Sequence, residues 1–235
     1  MDKLSWVKGE GLAIVGHTVA NFSRDLNDYF SLGDFLNPAE SRNEVNAILI
    51  GGLGEGHGRI FQRCPKPFKS KIFVYNSLQS VEKSAKELGE FVKFVRGKKR
   101  MKIIARSWGG IVARVALMRK YISEKEVYRI KTIGTPHQGT YVPLFLYPSL
   151  IIPSCREMLP NSNLIQELKK QKLPSDIEYL NCYSKSLDEF CIPRENLRWK
   201  NHRVRNLEIE SAGHADILYN KEAWNFGVSC EELLS

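Results

Sequence analysis

The sequence has no apolar run that approaches the about 20 residues a helix needs to cross a bilayer. Near the N-terminus, Asp2, Lys3 and Lys8 interrupt any apolar region, and no small-residue cleavage site follows them. We therefore expect neither a transmembrane helix nor a signal peptide, and we expect a cytoplasmic protein.

Cysteine is scarce and unpatterned. The chain has five cysteines, and no two of them form a C-x-x-C pair. This usage favours free thiols in a reducing compartment, with a Cys182–Cys191 disulfide as the alternative. The five histidines lie far apart without a recognisable ligand spacing, so we expect no metal and no cofactor.

Patterns typical of nucleotide and nucleic-acid binding are also missing. The glycine-rich stretch 51–58 lacks the G-K-[ST] ending of a P-loop and the G-x-G-x-x-G spacing. The formal net charge is +9, but no long basic block with interleaved aromatic residues is present. We expect no nucleic-acid partner. The basic residues fit a solvated surface, with peripheral contact to an anionic membrane surface as the alternative.

What the chain does contain is an alternation of short apolar strands and amphipathic helices. Strands are predicted at 47–50, 71–75, 103–105, 127–133, 177–183 and 203–209, and helices at 80–95, 108–121 and 217–226. This alternation predicts one α/β domain over residues 46–235, with a mostly parallel sheet covered by helices on both faces. Residues 11–36 carry a separate amphipathic pattern, so 1–45 is predicted to be a helical segment packed on that domain.

The stretch 139–175 interrupts the alternation. It contains five of the chain's prolines and bulky apolar tracts at 144–147 and 150–152. Such a segment is too long for a simple connector, and we interpret it as a cap over the site, with a merely packed insertion as the alternative. Leu144, Phe145 and Leu146 are its predicted substrate-binding residues.

A candidate nucleophile stands where the strand 103–105 meets the following helix. Ser107 has small residues, Ala105 and Gly109, two positions before and after it, as a tight strand–turn–helix requires. Such a turn presents the hydroxyl at the carboxyl edge of a parallel sheet, and the N–H groups of the helix N-terminus face the developing negative charge. We predict Ser107 as the nucleophile and the Trp108 N–H as an oxyanion donor.

The loop 51–58 is the predicted source of a second oxyanion donor. Its glycines allow a backbone N–H to approach the reacting carbonyl closely. The Leu53 N–H is predicted to hold the oxyanion together with the Trp108 N–H.

A serine hydroxyl needs a base to take its proton, and the base needs an acid to hold it in one tautomer. His214 follows the last predicted strand on a loop of small residues, and we predict it as the base. Asp188 follows the strand 177–183 and is the predicted acid, with the adjacent Glu189 as the alternative. Asp176 precedes that strand and so belongs to the opposite edge of the sheet.

Taken together, these motifs resemble α/β-hydrolase lipases and esterases. The segment A-R-S-W-G at 105–109 resembles the elbow of bacterial triacylglycerol lipases that read A-x-S-x-G. Further segments are similar to the same family, namely I-G-T-P-H-Q-G-T at 133–140, M-L-P-N-S-N-L at 158–164, S-L-D at 186–188 and G-H at 213–214. The resemblance implies an α/β-hydrolase fold with a Ser107–Asp188–His214 triad. It also implies hydrolysis of lipid-like carboxylic esters through an acyl-enzyme, without a cofactor.

Three departures from that family concern the substrate. Arg106 stands where His is common, Trp108 stands where a small or unbranched residue is common, and Gly51-Gly52 replaces His-Gly. A Trp side chain beside the nucleophile is expected to narrow the acyl pocket. Two alternatives stay open: an acyltransferase with the same triad, and a catalytically silent hydrolase fold used as a binding protein.

Overall fold

The computed structural model describes residues 45–53, 70–96, 99–145, 151–184, 188, 190–210 and 212–228. The predicted N-terminal helical segment lies outside these residues apart from Val45, so its structure stays a prediction. Leu146, Glu189, His17 and His57 also lie outside the described residues.

The described strands form one six-stranded sheet in the order β2-β1-β3-β4-β5-β6. The strands are β1 (Ala47–Ile50), β2 (Ser70–Phe73), β3 (Met101–Arg106), β4 (Val127–Ile133), β5 (Glu178–Tyr183) and β6 (Val204–Glu208). Every neighbouring pair is parallel. The predicted parallel sheet is confirmed, and its carboxyl edge collects the loops that follow the strands.

Alternate residues of the central strands contribute to two separate apolar cores. Ile48 and Ile103 belong to the larger core, whereas Leu49 and Ile104 belong to the smaller one. Because successive side chains of a strand point to opposite faces, the two cores lie on opposite sides of the sheet. This arrangement is the reason that β1 reads as a continuous apolar run rather than as an alternation.

Two long helices cover the larger core. They are α1 (Val81–Val95) and α2 (Trp108–Met118), the helix that follows Ser107. Helix α1 begins where predicted, because the Ser80 hydroxyl accepts a hydrogen bond from the Lys83 N–H at 3.3 Å and so caps the helix. All positions of α2 from Trp108 to Leu117 are buried, so this helix lies inside the protein along its whole length.

The prediction of one continuous closing helix at 217–226 was wrong. The structure has a 3₁₀ helix (Asp216–Tyr219) and then the short helix α6 (Lys221–Asn225). Asn220 separates them in an extended conformation, and its side-chain oxygen accepts a hydrogen bond from the Ala223 N–H at 3.1 Å. An Asn side chain that bonds nearby backbone favours a cap over the middle of a helix, so α6 starts afresh here.

The stretch 139–175 contains three short helices, α3 (Val142–Phe145), α4 (Pro153–Glu157) and α5 (Asn163–Lys169). Its stem is closed by a hydrogen bond from the Thr140 N–H to the Met158 carbonyl at 2.9 Å. Gly139 allows this closure because it has a φ of 85°, and a Cβ there would lie 2.7 Å from the Met158 carbonyl oxygen.

The same segment is tied to the start of α1. The Glu157 carboxylate accepts a hydrogen bond from the Val81 N–H at 2.6 Å, and the Ser154 hydroxyl donates to the Ser77 carbonyl at 2.7 Å. The second half of the segment is therefore anchored on the domain. Its function as a cap stays a prediction.

Candidate active site

Ser107 occupies a sharp turn between β3 and α2. Its φ of 49° and ψ of −122° are unusual for a residue with a side chain, and this strain is what a tight strand-to-helix turn imposes. The next residues of the turn pass close to neighbouring loops. A Cβ at Gly109 would lie 2.5 Å from the Gly51 carbonyl oxygen, and a Cβ at Gly110 would lie 2.1 Å from the Thr135 hydroxyl.

The structure brings the three predicted triad residues into one hydrogen-bonded chain. The Ser107 Oγ is 2.9 Å from His214 Nε2, and His214 Nδ1 is 2.7 Å from Asp188 Oδ2. Because a carboxylate only accepts hydrogen bonds, Nδ1 carries the proton and Nε2 is left to accept the serine hydroxyl. All three residues are buried, and Asp188 is fully so.

Two hydrogen bonds hold the predicted acid, Asp188, besides the one from the imidazole. Its Oδ1 accepts a hydrogen bond from the Phe190 N–H at 3.0 Å, and its backbone carbonyl accepts one from Arg194 Nε at 2.8 Å. Gly134 lies beside this pair, and its φ of 60° is what favours glycine there, since a Cβ would meet His214 Nδ1 only at an ordinary contact distance of 3.5 Å. Asp176 is exposed and precedes β5, at the opposite edge as predicted.

The base is contacted from two sides. The Phe190 ring lies 5.1 Å from the His214 ring, centroid to centroid. Arg106, the last residue of β3, donates from Nη2 to the His214 backbone carbonyl at 3.0 Å. In the sequence, Arg106 stands out only as a departure from the pattern of the similar lipases. Because Arg106 directly precedes Ser107, a role for it at the site could have been inferred from the sequence.

The predicted oxyanion donors belong to two different segments, the start of α2 and the loop after β1. Trp108 is the first residue of α2, so its N–H is at a helix N-terminus. Leu53 is half-buried against the larger core. Two residues before it, the Gly51 carbonyl accepts a hydrogen bond from the Tyr75 hydroxyl at 3.1 Å. The roles of Leu53 and Trp108 as donors stay predictions.

The Trp108 side chain is packed into the larger core rather than exposed. Only 7% of the residue is accessible, and its indole Nε1 has no hydrogen-bond partner among the described residues. A buried donor without an acceptor is uncommon in native proteins. Leu144, in α3, is exposed, whereas nothing is described of the Phe145 side chain, so the predicted substrate contacts stay predictions.

A buried polar cluster behind α2 was missed by the sequence analysis. Arg114 Nη1 donates to the His137 carbonyl at 2.8 Å, Nη2 donates to the Leu168 carbonyl at 2.6 Å, and the guanidinium lies over the Trp199 ring. Burial lowers the pKa of Arg114 to about 9. The cluster joins α2 to the loop after β4 and to α5.

His137 is part of this cluster and does not belong to the triad. Its ring stacks on Trp199 at 4.4 Å, and its Nε2 is 3.2 Å from the Asn181 side-chain oxygen. Burial first, and then the charge of Arg114, hold the pKa of His137 well below its usual value. A neutral imidazole that stacks on Trp199 and contacts Asn181 is a structural group.

The described residues contain no group of three or more His, Cys, Asp or Glu side chains placed to hold a metal ion. Nor does that part of the chain have a helix long and apolar enough to cross a membrane. Cys182 and Cys191 are both free thiols, so the alternative of a disulfide between them was wrong. Burial raises the pKa of Cys182 to about 12.

Comparison with known proteins gives one match to a family. The sequence model of the PGAP1-like alpha/beta domain matches residues 78–146, a part of the chain that includes α1, Ser107 and α2. In a comparison of sequences, no curated protein matches the chain.

Solved structures resemble the chain over most of its length. The mature lipase BlEst2 of Bacillus licheniformis is 14% identical with a TM-score of 0.65, over 82% of this chain and 93% of that one. Aspergillus fumigatus lipase B is 17% identical with a TM-score of 0.66, over 84% of this chain and 55% of that one. Staphylococcus hyicus lipase is 11% identical with a TM-score of 0.56, over 83% of this chain and 93% of that one.

The matched region therefore spans about half of the Aspergillus protein and nearly all of the two bacterial ones. At these identities the likeness concerns the fold and nothing finer. It confirms the α/β-hydrolase fold that the motifs predicted.

Proposed function

We propose that this chain, an α/β-hydrolase by fold, is a serine hydrolase that cleaves carboxylic esters of lipid-like substrates. One observation carries the proposal, the hydrogen-bonded chain from Ser107 Oγ to His214 Nε2 at 2.9 Å and from His214 Nδ1 to Asp188 Oδ2 at 2.7 Å. The directions of these bonds are those that a serine nucleophile and its general base require.

In the acylation half, the Ser107 Oγ attacks the ester carbonyl carbon while His214 Nε2 takes the hydroxyl proton. The negative charge that develops on the carbonyl oxygen is stabilised by the Leu53 and Trp108 N–H groups. The imidazolium is stabilised by Asp188, which stays ionised. His214 then gives its proton to the leaving alcohol oxygen, the carbon–oxygen bond of the ester breaks, and the acyl group stays on Ser107.

In the deacylation half, water takes the place of the alcohol. His214 removes a proton from the water as its oxygen attacks the acyl carbonyl, and the same two N–H groups hold the second oxyanion. The bond from the acyl carbon to Oγ breaks, and the proton returns from His214 to Ser107. The products are one carboxylic acid and the enzyme in its starting state.

Exposed apolar side chains in the segment 139–175 support a lipid-like substrate. Leu144 is 48% exposed and Ile151 is 75% exposed, so both large apolar side chains are accessible to such a substrate. We propose Leu144, Phe145 and Leu146 as substrate-binding residues and the segment 139–175 as a cap. With the net charge of +9, these exposed residues also support peripheral contact with an anionic lipid surface.

Intact-mass measurement after treatment with a fluorophosphonate tests the proposal without a guess about the substrate. We expect one adduct on the wild type and none on Ser107→Ala. Ser184→Ala is the matched control, because Ser184 is a fully buried serine whose hydroxyl has no partner among the described residues. It should label like the wild type. An adduct that persists in Ser107→Ala would assign the reactive nucleophile to another residue and contradict the proposal. No adduct on the wild type, even in detergent, would also contradict it and favour a binding protein.

The preferred acyl chain length and the acceptor are then measured on the unlabelled wild-type enzyme. A panel of p-nitrophenyl esters of graded acyl length identifies the preferred substrate, and product analysis with an added alcohol separates transfer from hydrolysis. Formation of a new ester in place of the free acid would identify an acyltransferase that uses the same triad.

A further inference from the structure

We infer that Arg106 is a positioning residue that holds the base His214 in line with Ser107, an inference that rests on the function proposed above. Arg106 is the last residue of β3 and stands immediately before Ser107. It is only 5% exposed, and its Nη2 donates to the His214 backbone carbonyl at 3.0 Å.

The two hydrogen bonds that connect this part of β3 to His214 form a closed ring. Ser107 contacts the imidazole at Nε2, and Arg106, its covalent neighbour, contacts the carbonyl of the same histidine. The base is thereby held at its ring and at its backbone by two adjacent residues of one rigid strand end. A shift of His214 away from the nucleophile would have to break the Arg106 bond as well as the Ser107 bond.

The composition of the base loop explains why such a bond is needed. Ala212, Gly213 and Ala215 have small or absent side chains, so they bury little apolar surface around His214. The Gly213 carbonyl accepts from the Ile217 N–H at 3.1 Å, a local bond that shapes the loop. The Arg106 bond instead reaches across 108 residues of sequence and ties the loop to the sheet.

Arginine suits this position for chemical reasons. A guanidinium presents several fixed N–H donors and cannot act as an acceptor or a base, so it can hold a carbonyl without competing for the serine proton. A lysine at the same place would offer a compact ammonium on a flexible stem, and a methionine would offer no donor. Both Arg106→Lys and Arg106→Met keep a long side chain. The lysine retains a flexible donor for the His214 carbonyl, whereas the methionine removes the hydrogen bond entirely.

The positioning role predicts a particular split between kinetic parameters. Because a displacement of about 1 Å at a catalytic group costs on the order of 100-fold in rate, Arg106→Met should lower kcat by about 100-fold. KM should change less than threefold, since Arg106 is not proposed to touch the substrate. Arg106→Lys should recover part of the lost kcat. Lys102→Met removes another buried basic side chain from the same strand and should lower kcat less than threefold.

A second readout needs no turnover. In ¹H NMR at low temperature, the Nδ1 proton shared by His214 and Asp188 should give a low-field resonance in the wild type that is absent from His214→Gln. We expect this resonance to broaden or move in Arg106→Met and to be kept in Lys102→Met. Thermal unfolding followed by circular dichroism confirms that each variant is folded, and Arg106→Lys takes the place of Arg106→Met if the latter is not.

The two readouts separate the two proposals. An unlabelled Ser107 in the wild type contradicts the proposed hydrolase, whereas the resonance still decides whether Arg106 positions the imidazole. An unchanged kcat and an unchanged resonance in a folded Arg106→Met would overturn the inference. So would a loss of the same size in Lys102→Met, because the effect would then belong to any buried basic residue of β3.

Discussion

Both carboxylate oxygens of Asp188 accept a hydrogen bond, one from His214 Nδ1 at 2.7 Å and one from the Phe190 N–H at 3.0 Å. The second donor, Phe190, lies two residues after Asp188 in the same loop, so a local hydrogen bond orients the Asp188 carboxylate. Because Asp188 is fully buried, an ionised carboxylate there needs these donors. The orientation of the base thus depends on the local conformation of the acid loop.

The first prediction concerns this carboxylate. In Asp188→Asn the amide nitrogen can donate to Nδ1, which would place the imidazole proton on Nε2 and remove the acceptor for the Ser107 hydroxyl. We expect kcat to fall by about 10⁴-fold, as in a serine protease with the equivalent change. Steady-state ester hydrolysis measures the effect.

Glu189→Gln is the matched control for that change, since Glu189 is the adjacent acid that the sequence left as an alternative. We expect its kcat to stay within a few-fold of the wild type. If Glu189→Gln is the variant that loses activity, the acid has been assigned to the wrong residue.

The sheet and the candidate site could be predicted because both depend on local patterns and on one topological rule. The apolar runs gave the bounds of β1 and β4 correctly, Ala47–Ile50 and Val127–Ile133. In a parallel sheet the loops after the strands meet at one edge, so residues after β3, β5 and β6 were expected to converge. The Ser107, His214 and Asp188 side chains do lie together there.

The contacts that support the site could not be predicted in the same way. In α2, Arg114 stands between Ala113 and Val115 in a largely apolar helical sequence. Its neighbours in the sequence do not indicate which group accepts hydrogen bonds from its guanidinium. Its acceptors are the carbonyls of His137 and Leu168, which lie 23 and 54 residues further along the chain. Backbone carbonyls carry no residue-type signal, so such bonds become visible only when the fold brings the segments together.

The second prediction uses the buried indole of Trp108. Trp108→Phe keeps an aromatic ring and removes a buried N–H that has no partner among the described residues. The relieved desolvation offsets part of the lost packing, so the variant should cost no more than about 1 kcal/mol of unfolding free energy. Trp108→Ala removes the whole ring from the core and should cost about 3–5 kcal/mol. Urea unfolding measures both values. Equal costs for the two variants would mean that the indole N–H is hydrogen-bonded after all.

The third prediction concerns the close approach of Gly109 to the loop after β1. A Cβ there would lie 2.5 Å from the Gly51 carbonyl oxygen and 2.9 Å from the Ile50 carbonyl oxygen, and backbone atoms cannot rotate away. In Gly109→Ala either α2 or the loop must move, which separates the Trp108 N–H from the Leu53 N–H. We expect kcat to fall by about 10²–10³-fold, the cost of one lost oxyanion donor.

Gly89→Ala provides a control with a similar overlap away from the site, since a Cβ there would lie 2.7 Å from the Tyr121 carbonyl oxygen. Overpacking should destabilise both variants by about 1–3 kcal/mol. At a temperature where both are folded, only Gly109→Ala should lose kcat. A comparable kcat loss in Gly89→Ala would show that general destabilisation, and not the oxyanion geometry, is responsible.

The last prediction is a dependence of stability on pH. Lys131, on β4, is buried, and its ammonium donates to the Trp224 carbonyl at 2.7 Å and to the Phe226 carbonyl at 2.9 Å, at the end of α6. Burial lowers the pKa of Lys131 from 10.5 to about 8. Between these two values the unfolded chain binds more protons at this lysine than the folded chain does. The contribution of Lys131 to the free energy of unfolding therefore rises with pH across this window.

Urea unfolding of the wild type and of Lys131→Met at several pH values isolates that contribution, because the other titrating groups are common to both proteins. The two carbonyls that lose their donor add an offset that favours the wild type, and that offset is independent of this titration. We expect the wild-type value minus the variant value to increase by about 2 kcal/mol between pH 8 and pH 10. A difference that is flat or falls over this range would mean that the buried ammonium keeps an ordinary pKa. The two carbonyls at the end of α6 would then compensate fully for its lost hydration.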